Sequence, residues 1–360
     1  MKKILFFLII LFLPISVYAF NTNATSTVLM DIDSNRVIYS KNPHYTQSVA
    51  SISKIMTAII AVEKGKLDKT VTINEKILKA YGSAVYLKVG EKIKLEDLIY
   101  ALMLRSGNDV AIAIANEIGG SEKEFVKLMN EKAKILGMTD TTFNNPSGLD
   151  EEDGGNISSS YDMAILMSYA MHNSTFKKIV KTKYHKVKTN KNVYIWKNKN
   201  KLLFTYKYTV GGKTGYTKKA KRTLVTSASN NNLNLVVVTI RDSLDFSDHK
   251  NLYEETFKNY ESFDVLNKGV ISILGEDYYK ENELYIKNNF KYPLTKTEKN
   301  VLVLKFKLEK KRKFNNNDKV GNVNVYIGNR KVHSEKIYIR KEKTQNGFFD
   351  KLNNFFTNNS

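Results

Sequence analysis

"SVASISKIMTAIIAVEKG", residues 48–65, holds one odd residue. From Asn42 to Val62 only Lys54 carries a formal charge, in a chain that is 26% charged. Ile52, Ile55, Met56, Ile59 and Ile60 recur at helical spacing. The opposite face carries Thr57, Ala58 and Ala61, small rather than charged, and a helix that is apolar or small all round is buried on most sides. Ser48 is the expected N-cap, which places Ser51 in the first turn, and Gly65 ends the helix. Positions i and i+3 are neighbours on a helix, so the Ser51 hydroxyl meets the Lys54 amine. A buried ammonium without a partner is costly and tends to neutralise. The neutral amine can then take a serine proton, which is nucleophilic catalysis with lysine as base. The competing reading is a lysine snorkelling from the edge of the core. Two further Ser-x-x-Lys pairs, Ser174/Lys177 and Ser247/Lys250, read as ordinary surface pairs.

Outward from this helix the pattern is α+β. Val28–Ile32 and Val37–Tyr39 flank Asp33-Ser34-Asn35 and read as a hairpin. Residues 75–170 read mainly as helix: 95–104 and 110–118 are predominantly apolar, broken by Arg105-Ser106-Gly107-Asn108, and Ser121 with Glu124 forms a capping box. Strand character returns near Lys201. Residues 224–228 and 233–240 flank an Asn-rich turn, and a last helix is expected over 248–261. This order lacks the strand–helix alternation of a parallel sheet. After residue 263 the texture is that of a small all-β domain. Leu302, Leu304, Phe306 and Leu308 alternate with Val303, Lys305, Lys307 and Glu309, and Gly328-Asn329 marks a hairpin.

A chain of 360 residues is long for one core. Cysteine is absent, which excludes disulfides, thiolate metal sites and a Cys nucleophile. Lys2 and Lys3, the apolar run 4–13, Pro14 and Val17-Tyr18-Ala19 read as a cleavable signal peptide over 1–19, with the mature chain starting near Phe20 and working outside the cytoplasm. The net charge of +21 suits an anionic surface; half of it reads as the Lys- and Asn-rich composition of the whole chain. Residues 301–345 hold 13 Lys/Arg against 4 Asp/Glu. No nucleic-acid motif occurs. The five histidines lack ligand spacing, so no metal or other cofactor is expected. In residues 346–360, Phe348, Phe349, Leu352, Phe355 and Phe356 would form one aromatic helix face. With the basic β domain it supplies the two signals that peripheral membrane binding needs.

Two further stretches raise the weight of the Ser51/Lys54 pair. Ser106-Gly107-Asn108 lies in a helix break, where side chains project into a cleft, and Lys213-Thr214-Gly215 follows two glycines beside the C-terminal strands. Ser-x-x-Lys, Ser-x-Asn and Lys-Thr-Gly, in that order, are the motifs of penicillin-binding proteins and class A β-lactamases. From about 25 to 340 the chain resembles the low-molecular-mass penicillin-binding proteins, the serine D-alanyl-D-alanine carboxypeptidases of peptidase family S11. Asn145-Pro146-Ser147-Gly148-Leu149 and Lys213-Thr214-Gly215-Tyr216-Thr217 add to the likeness. The resemblance implies a penicillin-binding/β-lactamase-like catalytic domain over 20–262, with an antiparallel sheet flanked by helices, a β domain over 263–345 and an anchoring tail over 346–360. It implies that Ser51 attacks the carbonyl between two D-alanines of a peptidoglycan stem peptide, with Lys54 as base and Ser106 as proton relay. Asn108 would hold the substrate amide, Lys213 and Thr214 the terminal carboxylate, and Gly215 would line the substrate strand. The N–H groups of Ser51 and Tyr216 would form the oxyanion hole, and Lys213 would help keep Lys54 neutral by repulsion. β-Lactams would be covalent inhibitors. One departure stands out: Ala220 is followed by Lys221, where many relatives have glycine. No Glu-x-x-Leu-Asn stretch is present to make a β-lactamase. A cross-linking transpeptidase would share the acylation step, and a non-catalytic wall-binding protein is the reading from another class.

Overall fold

The structure is a computed structural model that describes residues 20–150 and 155–341. The expected signal peptide, the tail 346–360 and residues 151–154 of the acidic turn lie outside the described residues. The chain divides into two compact units, one of residues up to 30, 37–228 and 236–258, the other of 31–36, 229–235 and 259 onward.

The first unit is α+β. A five-stranded sheet has the order β2-β1-β5-β4-β3, with β1 Ser26–Asp31, β2 Val37–Lys41, β3 Thr209–Thr217, β4 Lys221–Asn230 and β5 Leu233–Ile240. All six residues of β1 are buried, as expected of a strand covered on both faces. Asn231 and Asn232 both have positive φ (48° and 63°), the two-residue turn whose twist matches its flanking strands. β3 is an edge strand, so one row of its backbone groups is unpaired within the sheet.

Helix α1, Lys54–Lys64, explains the opening stretch. It packs against α2 Leu95–Arg105, α3 Asn108–Gly119, α4 Glu122–Ile135, α5 Ser160–Met171 and α6 Ser174–Lys181. Five helical neighbours bury Lys54–Ala61 and leave only the last turn exposed, hence the small residues where a surface helix would be charged. Ile55, Met56 and Ile59 are fully buried, each contributing about 1.5–3 kcal/mol by transfer from water. Between α4 and α5, within the stretch read as mainly helix, the described residues form no helix, and Ile157–Ser158 pairs with Gln47–Ser48 as a short strand. Near Lys201 it forms the short helix α7, Leu202–Thr205, before β3, and Tyr184–Lys188 pairs with Val193–Lys197 in an unforeseen hairpin. Only half of the expected capping box is formed. Ser121 Oγ accepts from the Glu124 N–H, while the Glu124 carboxylate pairs with Lys127. The last helix, α8, spans Asp245–Asn259.

Among its described residues the second unit is all-β apart from one short helix, Lys296–Asn300. A five-stranded sheet runs Gly269–Val270, Asn282–Ile286, Arg330–Lys341, Lys319–Ile327, Leu302–Leu308. Its core gathers Leu284, Ile286, Val320, Val323, Val325, Ile337 and Ile339. The alternation at 302–308 is a real strand, but Leu304 and Phe306 remain partly exposed because this strand is the sheet's edge.

Candidate active site

The chain enters α1 through a 3-10 turn, Ala50–Ser53, and Ser48 does not cap it. The Ser48 hydroxyl instead donates to Asp150 Oδ1 at 2.6 Å. Ala50 has φ 51°, a left-handed conformation that costs a non-glycine residue about 1–2 kcal/mol. The strained residue sits immediately before Ser51. Lys54 Nζ lies 3.0 Å from Ser51 Oγ, and its side chain is wholly buried. It also donates to Asn108 Oδ1 at 2.7 Å and to the Ser147 carbonyl. The Asn108 Nδ2 is engaged with the Tyr81 carbonyl, which fixes Oδ1 as the acceptor. A neutral amine has two hydrogens and one lone pair. Two pure acceptors take the hydrogens, and the lone pair is left for the Ser51 hydroxyl. Burial pulls Lys54 from 10.5 down to about 7, with the positive charge of Lys199 adding and Asp109 opposing.

Ser106 stands where α2 ends. Its φ of 66° and ψ of 34° make it a left-handed C-cap without glycine, and α3 begins two residues later at Asn108. This reversal sets the Ser106 side chain against Lys213 of β3, whose Nζ donates to Ser106 Oγ at 2.9 Å and to the Thr214 carbonyl at 2.6 Å. Lys213 is buried, and burial pushes its amine well below the ordinary range, with Lys54 and Lys199 adding. The expected repulsion between Lys213 and Lys54 appears at Lys213, and the positive charge of Lys199 acts on both amines. A Cβ on Gly215 would lie 2.4 Å from Thr223 Oγ1 and 3.0 Å from the Ser51 nitrogen, so glycine lets β3 pass beside the serine. Thr214 and Gly215 are half-buried there, and Tyr216 is exposed.

The turn Asn145–Leu149 supplies the Ser147 carbonyl. Asn145 Oδ1 accepts from the N–H of Ser147 and of Gly148, and its Nδ2 donates to the Leu149 carbonyl. Asn156 braces the same turn from outside by accepting from the N–H of Asn144 and Asn145. Gly148 has φ 78°, and a Cβ there would fall 2.1 Å from the Ala50 carbonyl and 2.4 Å from Ser53 Oγ. Gly148→Ala is expected to cost at least about 1 kcal/mol through φ alone, more through the clash, and to slow acylation by displacing Ser147. Thermal unfolding and the rate of labelling by a fluorescent penicillin check both; an unchanged rate would contradict the proposed coupling.

The D-alanyl-D-alanine carboxypeptidase family, peptidase S11, matches residues 15–243, and the C-terminal domain of penicillin-binding protein 5 matches 260–345. The chain belongs to the S11 carboxypeptidase family. It is 38% identical to D-alanyl-D-alanine carboxypeptidase DacF of Bacillus subtilis over 221 residues, 60% of this chain and 56% of that protein. The match thus spans little more than half of that relative. With DacD of Escherichia coli the identity is 27%, over 96% of this chain and 93% of that one. The crystal structure of penicillin binding protein 5 from Haemophilus influenzae superposes with a TM-score of 0.77 at 26% identity, covering 89% of this chain and 97% of that one.

Within this S11 family chain the structure brings Ser51, Lys54, Ser106, Asn108, Lys213, Thr214, Gly215 and Tyr216 to one region, with Ser51, Ser106, Thr214, Gly215 and Tyr216 lining a cleft of ≈ 320 Å³. Asn108 is buried, and both of its amide atoms are engaged within the protein. Sequence reasoning missed Ser83, Lys199, Lys201 and the ion pair of Arg222 with Asp245 (2.6 Å), which also line the cleft. Lys199 and Lys201 sit in a Lys- and Asn-rich run that offers no signal to separate them from surface lysines. Lys221 has φ 59°, the left-handed conformation that glycine takes freely, which accounts for the glycine implied there by the family resemblance. Among the described residues no group of three or more His, Asp or Glu could hold a metal ion.

Proposed function

We propose that this chain is a serine-type D-alanyl-D-alanine carboxypeptidase that removes the terminal D-alanine from peptidoglycan stem peptides and is acylated by β-lactams. The observation that carries the reading is the set of Lys54 contacts: Asn108 Oδ1 and the Ser147 carbonyl can accept only hydrogens from its amine, and Ser51 Oγ, 3.0 Å away, is the one of the three that can give a proton to it once it is neutral. The carboxypeptidase names of the relatives and the family match over 15–243 support the same reaction.

Ser51 Oγ attacks the carbonyl between the two D-alanines as its proton passes to Lys54, and the C–N bond breaks to leave an acyl-enzyme. The proton taken by Lys54 passes by way of Ser106, bonded to Lys213, to the departing amine, which leaves as D-alanine and returns Lys54 to its neutral state. Lys213, with Thr214, meets the substrate carboxylate, whose negative charge favours the protonated amine against the lowering by burial. Asn108 first orients Lys54, and it reaches the substrate amide only if its present bonds exchange. The N–H groups of Ser51 and Tyr216 face the developing oxyanion, each worth about 3 kcal/mol. Water then attacks the ester carbonyl, giving a proton to Lys54, and the bond to Ser51 Oγ breaks as that proton returns to the serine. The enzyme works outside the cytoplasm, attached peripherally to an anionic membrane through residues 346–360. No helix among the described residues is long and apolar enough to cross a membrane.

The test is release of D-alanine from a pentapeptide ending in D-Ala-D-Ala, with and without penicillin. Penicillin-sensitive release is expected. Covalent penicillin binding without release would leave a binding protein, and transfer to an added D-amino acid in place of hydrolysis would make the chain a transpeptidase.

A further inference from the structure

A second cleft lies in the same unit at the far end of β3 from Gly215. It has a volume of ≈ 430 Å³ and is lined by residues that the catalytic cleft does not share. Thr209 starts β3, while Thr214, Gly215 and Tyr216 of the catalytic cleft lie five to seven residues on, so at about 3.3 Å per residue the two clefts lie towards opposite ends of one strand. Lys181 enters from the end of α6, Lys183 from the segment after it, and Lys207 from the turn between α7 and β3.

None of these three ammoniums has a carboxylate partner among the described residues. Two rest on ring faces instead: Lys183 Nζ lies 5.7 Å from the Phe204 centroid, and Lys207 Nζ lies 4.7 Å from that of Tyr208. Lys197 Nζ adds a fourth positive charge, 5.1 Å from Phe204. A cation held on a ring is positioned without being neutralised, so the cleft keeps its positive potential. Two more of its residues carry unused polar groups. Tyr206 Oη and Thr209 Oγ1 are buried and have no hydrogen-bond partner, and a buried polar group left unpaired calls for an explanation. Burial raises the Tyr206 hydroxyl above its ordinary value, with Glu254 adding, so it stays a donor. Glu254 is itself paired with Lys250 at 3.7 Å.

Lysines arranged around a cleft as separate point charges, with no guanidinium fork, suit the spread charge of a phosphate better than a planar carboxylate. The volume exceeds that of a bare anion, and Leu203 and Phe204 give it an apolar wall. We infer that this cleft binds a small organic phosphate, with Lys181, Lys183 and Lys207 holding the phosphate and the wall of Leu203 and Phe204 lying against its carbon skeleton. The site is independent of the catalytic reading. A phosphodiester wall polymer and a glycerophospholipid headgroup share this chemistry.

The experiment titrates the purified chain with sn-glycerol 3-phosphate and with inorganic phosphate by calorimetry at low salt. Saturable binding of glycerol phosphate is expected, tighter than that of phosphate alone. Lys183→Ala and Lys207→Ala should each weaken it about tenfold, the loss of one charge-assisted contact. Lys64→Ala, an exposed lysine of α1, should leave it unchanged. Penicillin labelling of each variant at the parent rate confirms that the catalytic unit is folded. Two further arms identify the source: co-sedimentation with phosphatidylglycerol vesicles, and retention on immobilised poly(glycerol phosphate). Loss in the lysine variants in one arm alone names that source, and loss in both supports the shared chemistry. Failure of glycerol phosphate to saturate, or binding equally weakened by Lys64→Ala, would overturn the site.

Discussion

Ser51→Ala is expected to abolish covalent labelling by penicillin and to lower D-alanine release by more than about 10⁴-fold, the scale of losing a serine nucleophile. The unfolding midpoint should stay within about 2 °C of the parent, since the lost hydroxyl is half-exposed. No neighbouring hydroxyl can substitute. Ser53 Oγ donates to the Ala50 carbonyl at 2.9 Å, and Ser106 Oγ is bonded to Lys213 rather than to Lys54. Mass spectrometry of the intact chain after incubation with a penicillin reads the result directly. An adduct that survives the substitution would remove Ser51 from the mechanism.

The second large effect belongs to Lys54. Its amine must be neutral to accept the serine proton, and burial brings it to about 7. The acylation rate should therefore rise with pH along a limb centred near 7 and level off above it. Lys54→Arg keeps a permanent positive charge, and acylation should fall by about 10²–10⁴-fold with no such limb. It also buries a guanidinium among groups spaced for an amine, so a lower melting temperature is expected while cooperative unfolding persists. Lys54→Met separates the two effects. It fills a similar volume, buries no charge and still lacks the base. The native lysine is itself a cost. In the unfolded chain it holds its proton up to about 10.5, and in the folded chain only to about 7. The stability present above 10.5 is thus lost as pH falls towards 7, and the Met variant should lack this dependence. Stopped-flow acylation and urea unfolding at pH 6–10 measure both. A Lys54→Arg variant that acylates at the parent rate would end the case for a lysine base.

Much of the core and part of the site are legible in the order of residues. The helical spacing of Ile52, Ile55, Met56, Ile59 and Ile60 with small residues opposite requires a buried helix, and α1 is enclosed by five others. The alternation at 302–308 and the Gly328-Asn329 turn require a β hairpin in the second unit, and both are present. Ser51, Lys54 and Lys213 are legible because a reactive group in an uncharged or glycine-rich setting is conspicuous against a background of 26% charged residues. Lys199, Asn145 and Asn156 are not. Each resembles many other Lys and Asn residues in this chain, and its role depends on what lies across space from it.

By itself, then, the order of residues determined the α+β class, the buried helix and the three motif positions, because periodicity and local chemistry are properties of neighbours along the chain. Tertiary structure alone decided the rest. It set Ser51 on a 3-10 turn after a left-handed Ala50 instead of a capped helix start. It brought the Ser147 carbonyl, 93 residues away, onto Lys54 Nζ. It brought in Lys199, a charge that acts on that amine and that nothing in the order of residues singles out. A pKa and a hydrogen-bond inventory are sums over everything within a few ångströms, and those neighbours are chosen only when the helices close around α1 and the edge strand β3 comes to lie beside Ser51.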